Sequence, residues 1–275
     1  MREFFLEKRG IYYRRNECDQ DRPTLVFIHG VSGSSSAWLP YEKGLDKAYN
    51  IISIDLRGHG KSSRPERYED YAIEEFSEDV YELLCHIGIK KCILISNSFG
   101  SLVALAFIAK HQDMISATIF IGPHFAVGKM LSARLIKPFL MLAIKVKPSF
   151  SSSALHGGHI DYSKYKNTGD WNVRITIANI KNTGLWSYLY TTAQSYAFNG
   201  ENDLKNITVP SLIIHGAKDT IFPLKYGVIM AKAIPNAKIV VLDDIDHIVV
   251  LNRSADVVTI IRNFVGGLKR EGKLG

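Results

Sequence analysis

Six short runs of β-branched and large apolar residues recur along the chain: TLVFIHG (24–30), IISIDLRGHG (51–60), KCILISNSFG (91–100), SATIFIGP (116–123), SLIIHGAKD (211–219) and AKIVVLDD (237–244). None alternates apolar with polar positions, and each is bounded by Gly, Pro or Asp. That is the pattern of parallel strands covered on both faces. Helical periodicity lies between them. Ile73, Phe76, Val80, Leu83 and Leu84 fall on one helical face, and residues 102–110, 224–233 and 255–265 predict further helices. The N-terminal FFLEKRGIYYRR predicts a hairpin turning near Arg9 and Gly10. This alternation predicts an α/β fold with a doubly wound, mostly parallel sheet.

The alternation stops after Pro123. Residues 124–203 hold no convincing strand, and the sheet pattern resumes at NITVPSLIIHG. A stretch of that length is too long for a plain loop. It predicts a helical cap inserted between strands, so that 1–123 and 204–275 form the core and 124–203 the cap. Within the cap, Pro138 is expected to break the pattern MLSARLIKPFLMLAIKV, and residues 170–198 predict two helices parted near Thr183 and Gly184.

Composition narrows the class. The chain has 275 residues, 46% hydrophobic and 22% charged, which excludes a disordered or collagen-like chain. No apolar run is long enough for a membrane helix, and the N-terminus has no apolar signal segment. Cys18, Cys85 and Cys92 match no metal or redox spacing; Cys85 and Cys92 are expected to be inert core thiols, and a reducing, cytoplasmic setting is expected. The net charge of +7 is scattered and comes with no nucleic-acid motif, so no nucleic-acid partner is expected. One interval stands apart: no acidic residue occurs between Asp113 and Asp161, while Lys129, Arg134, Lys137, Lys145 and Lys147 do. Such a segment could dock on anionic lipid, yet lysine stems also cover apolar surface without any membrane, and membrane contact is not expected. His156, His159 and Asp161 only superficially suggest metal ligands, and no metal site is expected.

Candidate chemistry centres on Ser96-Asn97-Ser98-Phe99-Gly100, which follows an apolar strand and opens a helix. A serine at such a turn is held in a strained conformation with its hydroxyl presented above the strand ends, and the positions two before and two after must be small. Ser98 fits as nucleophile. A serine hydroxyl needs a base. His247, between the last strand and the last helix, falls at the strand edge where ligands bind. The base needs an acid to fix its tautomer. Asp219 lies at the same edge and gives the order Ser98, Asp219, His247; Asp246 is the rival. No Asp or Glu follows SATIFIGP. Backbone N–H groups of Phe99 and Val31 are the expected donors to an oxyanion, with Gly30 turning the chain near Val31 and Ser32, Gly33, Ser34, Ser35 and Ser36 expected to form a flexible polar loop.

These motifs resemble the α/β-hydrolase fold family, in particular its ester hydrolases, epoxide hydrolases and haloalkane dehalogenases. His29-Gly30 is similar to the family's oxyanion-loop motif, and Asp55 to Ser62 resembles its D-x-R-G-x-G-x-S turn, which has a mainly structural part. Two positions depart from the pattern. Ser96 stands where a glycine is usual, and Asp246 stands where a glycine usually precedes the base, a charge expected to raise the pKa of His247. The resemblance implies an aspartate nucleophile for dehalogenases and epoxide hydrolases, so Ser98 points to cleavage of carboxylic esters through an acyl-enzyme, without cofactor. His29, Gly30, His124, Phe139, Leu140 and Trp186 are the expected substrate contacts, and a monomer or homodimer is expected. Asn97 to Gly100 and Ser36-Ala37-Trp38 also resemble hydrolases that cleave carbon–carbon bonds of ring-cleavage products, although Ile248 replaces the tryptophan common after their base. Lyase, perhydrolase and ligand-receptor relatives remain alternatives.

Overall fold

A computed structural model describes residues 1–145, 157–165 and 167–274. Eight strands form one sheet: β1 (Arg2–Leu6), β2 (Ile11–Arg15), β3 (Thr24–Ile28), β4 (Asn50–Ile54), β5 (Cys92–Asn97), β6 (Ile115–Ile121), β7 (Ser211–Gly216) and β8 (Ala237–Leu242). Their order across the sheet is β1-β2-β4-β3-β5-β6-β7-β8. The hairpin β1–β2 and the pair β2–β4 are antiparallel, and every later pairing is parallel. The predicted doubly wound, mostly parallel sheet is therefore present.

The non-alternating strands are explained by what covers them. Val26, Ile28 and Leu94 face one apolar layer, with α2 (Ile73–His86) and α3 (Gly100–His111). Leu25, Phe27, Ile93 and Ile95 face the other, with α1 (Leu39–Leu45) and the C-terminal helix, Ser254–Arg270. Both faces of each strand must be apolar, so period two vanishes from the sequence.

Between β6 and β7 the chain forms α4 (Leu131–Lys145), α5 (Val173–Thr183) and α6 (Leu185–Ala197). Pro138 does not break α4. It removes one donor, and the carbonyl left without it belongs to Arg134, an exposed residue that water can serve. The boundary near Gly184 is present: Gly184, at φ 87°, both ends α5 and precedes α6. Val146, Lys147 and His156 lie outside the described residues. After β7 come α7 (Lys225–Ala233), and, beyond β8, α8 (Val249–Asn252) and α9 (Ser254–Arg270).

Two sequence expectations need correction. Cys85 is exposed on α2, because its position lies off the stripe that packs on the sheet; only Cys92 is a core thiol, and burial pushes its pKa up to about 12. The serine-rich stretch after Gly30 is not a loose polar loop. Ser34, Ser35 and Ser36 are buried, Ser35 opens a 3-10 turn leading into α1, and its N–H donates to Asp55 Oδ1 at 2.6 Å.

The Asp55 turn acts as a knot. Besides Ser35, Asp55 accepts from Lys61 N at 2.7 Å through Oδ2, while Arg57 makes a two-pronged pair with Asp79 at 2.6 and 2.7 Å. The helix meets the sheet closely at Gly100, where an added Cβ would stand 2.7 Å from the carbonyl oxygens of both Ile28 and His29. Gly100→Ala is expected to lower stability by about 2 kcal/mol, the scale of overpacking, read as a shift of the urea midpoint; an unchanged midpoint would show that the strand and helix can move apart.

Candidate functional site

The C-terminal ends of β5, β7 and β8 bring three distant residues together. Ser98 sits between β5 and α3 at φ 51°, a left-handed conformation costly for a residue with a Cβ. Local bonds hold it there: Ser98 N–H donates to Ile121 O at 3.0 Å, and Ser101 N–H donates back to Ser98 O at 2.9 Å. Asn97 Nδ2 adds a bond to Ile121 O at 3.1 Å. Ser98 Oγ lies 2.8 Å from His247 Nε2, and His247 Nδ1–H donates to Asp219 Oδ2 at 2.7 Å. That donation leaves Nε2 as the acceptor facing the hydroxyl, the tautomer a base requires. Gly122, at φ 53°, ends β6 beneath the imidazole; a Cβ there would come within 3.3 Å of the ring.

Asp219 is buried beyond β7. Burial alone would raise its pKa, but donors from His215, His247 and the Phe222 backbone outweigh it and hold the pKa at about 2. Its Oδ1 accepts from Ile221 N at 3.0 Å and Phe222 N at 2.7 Å. His215 Nε2 lies 3.3 Å from Oδ2 and 2.8 Å from Phe222 O, so a second imidazole braces the carboxylate. Asp246, the rival acid, is used otherwise: Oδ1 accepts from Ile248 N at 3.0 Å and Oδ2 from Asp170 N at 3.1 Å. Burial and the neighbouring Asp170 raise its pKa.

Asp170 is the residue that sequence reasoning left without a role. It lies just before α5, yet its Oδ1 accepts from His247 N at 2.6 Å and its Oδ2 from Thr220 N at 2.8 Å and Thr220 Oγ1 at 2.6 Å. One carboxylate thus ties the β7 and β8 loops to each other and to the helical segment. No motif spacing announces it, because it lies 77 residues from its partner.

A cavity of about 580 Å³ opens over Ser98. Val31, Phe99 and Leu102 line its floor, with His124, Met130, Ala133, Ile136, Leu140, Trp171, Tyr188 and Phe222 around it. No Asp, Glu, Lys or Arg lines it among the described residues. His124 and Leu140 are where substrate contacts were expected; the other expected contacts are not. Phe139 is 75% exposed on the outer side of α4, one residue and about 100° from Leu140. Trp186 packs toward the core beside Tyr190, outside the lining. Gly30 lies behind the elbow, where a Cβ would meet Asn97 and Ser98. His29 is fully buried and committed: Nε2 accepts from Leu56 N at 3.0 Å and Nδ1–H donates to Gly30 O at 2.7 Å. His159 is also engaged, with Nε2 2.8 Å from Asp55 Oδ2, and Asp161 accepts from Ser163.

Burial lowers the pKa of His29, of His59 to about 3 and of His124 to about 4. These rings stay neutral in the folded chain at pH values where the unfolded chain charges them. As pH falls from about 6.5 toward 4, the unfolded state takes up protons that the folded His59 and His124 do not, so stability is lost at up to about 1.4 kcal/mol per pH unit for each of those two rings, and His29 adds in the same direction. Urea midpoints measured over that window should fall with acid, and more gently in His124→Phe; equal slopes would contradict the assignment. Asp170→Ala should slow labelling of Ser98 by a fluorophosphonate about a hundredfold, the cost of a misplaced reacting group, with Asp170→Asn intermediate. Labelling at the wild-type rate in a folded variant would remove Asp170 from the site.

A model of the family described as alpha/beta hydrolase fold matches residues 23–254. The chain is 28% identical to proline iminopeptidase PfmaB of Pestalotiopsis fici, over 94% of this chain and 98% of that one. It is 31% identical to epoxide hydrolase 3 of Xenopus tropicalis over 38% of this chain, a match that spans 29% of that protein. Among solved structures, a thermophilic esterase from Thermogutta terrifontis superposes with a TM-score of 0.72 at 21% identity, covering 94% of each chain. The family model, which spans most of the chain, makes this protein a member of the α/β-hydrolase fold family.

Proposed function

We propose that the protein hydrolyses uncharged carboxylic esters through an acyl-enzyme formed on Ser98. Hydrolase chemistry is what the family supports; the ester class is our reading of the pocket. The observation that carries it is the Ser98–His247–Asp219 chain, with spacings of 2.8 and 2.7 Å, on the floor of a cavity with uncharged lining among the described residues.

In this reading Ser98 Oγ attacks the ester carbonyl carbon as its proton passes to His247 Nε2. Asp219 stays ionised and stabilises the imidazolium. The tetrahedral oxyanion takes N–H bonds from Val31 and Phe99. His247 returns the proton to the departing alkoxide. Water, deprotonated by the same imidazole, then releases the acid and restores Ser98. No metal or cofactor is needed for any step.

The lining also bears on two similar proteins. An iminopeptidase substrate carries a cationic amino terminus, and desolvating a cation without a counter-charge is costly. No carboxylate lines this cavity among the described residues, which favours a neutral ester over an aminoacyl substrate. An epoxide hydrolase of the pattern given above uses an aspartate at the elbow, where this chain has Ser98.

A series of p-nitrophenyl esters from acetyl to palmitoyl tests the reading, run beside L-proline p-nitroanilide. Medium acyl chains should be turned over best, the anilide should not be turned over, and Ser98→Ala should lose activity on the order of a million-fold. Hydrolysis of the anilide alone, or no ester turnover by folded wild type, would overturn it.

A further inference from the structure

Helix α4 has two apolar sides, and only one has a partner. Ala133 and Leu140 are buried, and with Met130 and Ile136 they line the cavity above Ser98. Leu131, Leu135, Phe139 and Leu142 are spaced by four, four and three residues, which places them on one stripe roughly opposite Leu140. All four are more than 60% exposed. Packing the helix on the sheet does not account for them. The apolar surface continues to the cavity mouth, where Ile136 and Trp171 both line the opening and are both exposed. An exposed apolar surface of this extent marks an interaction site.

Charge identifies the occupant. Arg134 and Lys145, both exposed, follow Leu131 and Leu142 by three residues and so border the stripe, with Lys137 further round. No acidic residue lies in the sequence from Met114 to Ile160. An apolar face bordered along one side by cations, in a segment without acidic residues of its own, matches the boundary of an anionic bilayer, where leucine and phenylalanine enter the acyl region and basic groups meet headgroup phosphates. A protein partner's groove would not require that one-signed border. No helix among the described residues is long and apolar enough to cross a membrane, so the contact is with the surface.

We propose that the outer face of α4 docks the protein on anionic phospholipid membranes, with the mouth of the Ser98 cavity at the rim of the contact. The docking does not depend on the ester reading, since it is measured as binding.

The test is co-sedimentation with vesicles of phosphatidylcholine plus phosphatidylserine, against phosphatidylcholine alone, at low and high salt. Wild type should pellet with the anionic vesicles, less so at high salt. Leu135→Ser with Leu142→Ser should weaken binding by about a hundredfold or more, the scale for two leucines leaving an apolar contact. Arg134→Glu with Lys145→Glu should lose the preference for anionic lipid. Both pairs should keep the wild-type melting temperature and fluorophosphonate labelling of Ser98. Wild type remaining in the supernatant, or equal pelleting by the leucine pair, would overturn the proposal. A dimer in equilibrium sedimentation that the leucine pair dissolves, without vesicle binding, would also overturn it by assigning the face to a second copy of the chain.

Discussion

The crossing of β5 into α3 over β3 is the constraint on which the site depends. The helix starts against the Ile28 and His29 carbonyls with only Gly100 between them. A chain turning that sharply has few conformations, and Ser98 takes one from the left-handed region. The strain of about 1–2 kcal/mol is spread into bonds that the sheet makes in any case, such as Ser98 N to Ile121 O. The hydroxyl is thereby fixed with respect to β6, and Gly122 at the end of β6 leaves the room that His247 occupies. Sheet geometry, more than contact between the three side chains, sets their spacing.

What was legible in the sequence was what neighbouring residues determine. The strands were visible as apolar runs because burial on both faces demands them, and Ser98, Asp219 and His247 could be aligned because each follows a strand whose end had already been located. The misreadings have one physical origin. Phe139 and Leu140 are adjacent and equally apolar, so hydrophobicity could not tell which faced the cavity and which faced outward. His29 sits in a family motif, but its ring serves the backbone of Leu56 and Gly30. Ser34 to Ser36 were read as flexible because serine is polar, when a buried carboxylate at Asp55 and a turn leading into α1 absorb them. Asp170 had no local signature, since its meaning depends on where the helical segment crosses the sheet.

The helical segment therefore contributes more than a wall. Asp170 reaches the loops of β7 and β8, His159 reaches Asp55, and Arg64 of the core bonds the Asn182 carbonyl. These polar ties, with others such as Thr183 to Ser32 and Gln194 to Tyr68, join a segment whose own hydrophobic residues are partly turned outward. These directional bonds add to the apolar packing of Phe125, Val127, Ala133 and Tyr190, which belong to the same core layer as the sheet. The segment's outward face is left free to change in composition without disturbing the sheet beneath it.

The distance along the chain between serine and histidine has a further meaning. They are 149 residues apart, and His247 arrives only after the last strand has paired at the sheet's edge. During synthesis the elbow can form from residues already made, yet its serine has no base until β8 and the loop after it have emerged. A polypeptide stalled or cut before β8 would carry the strained serine without a proton acceptor. Reactivity is in this sense withheld from any fragment that lacks β8 and the histidine behind it.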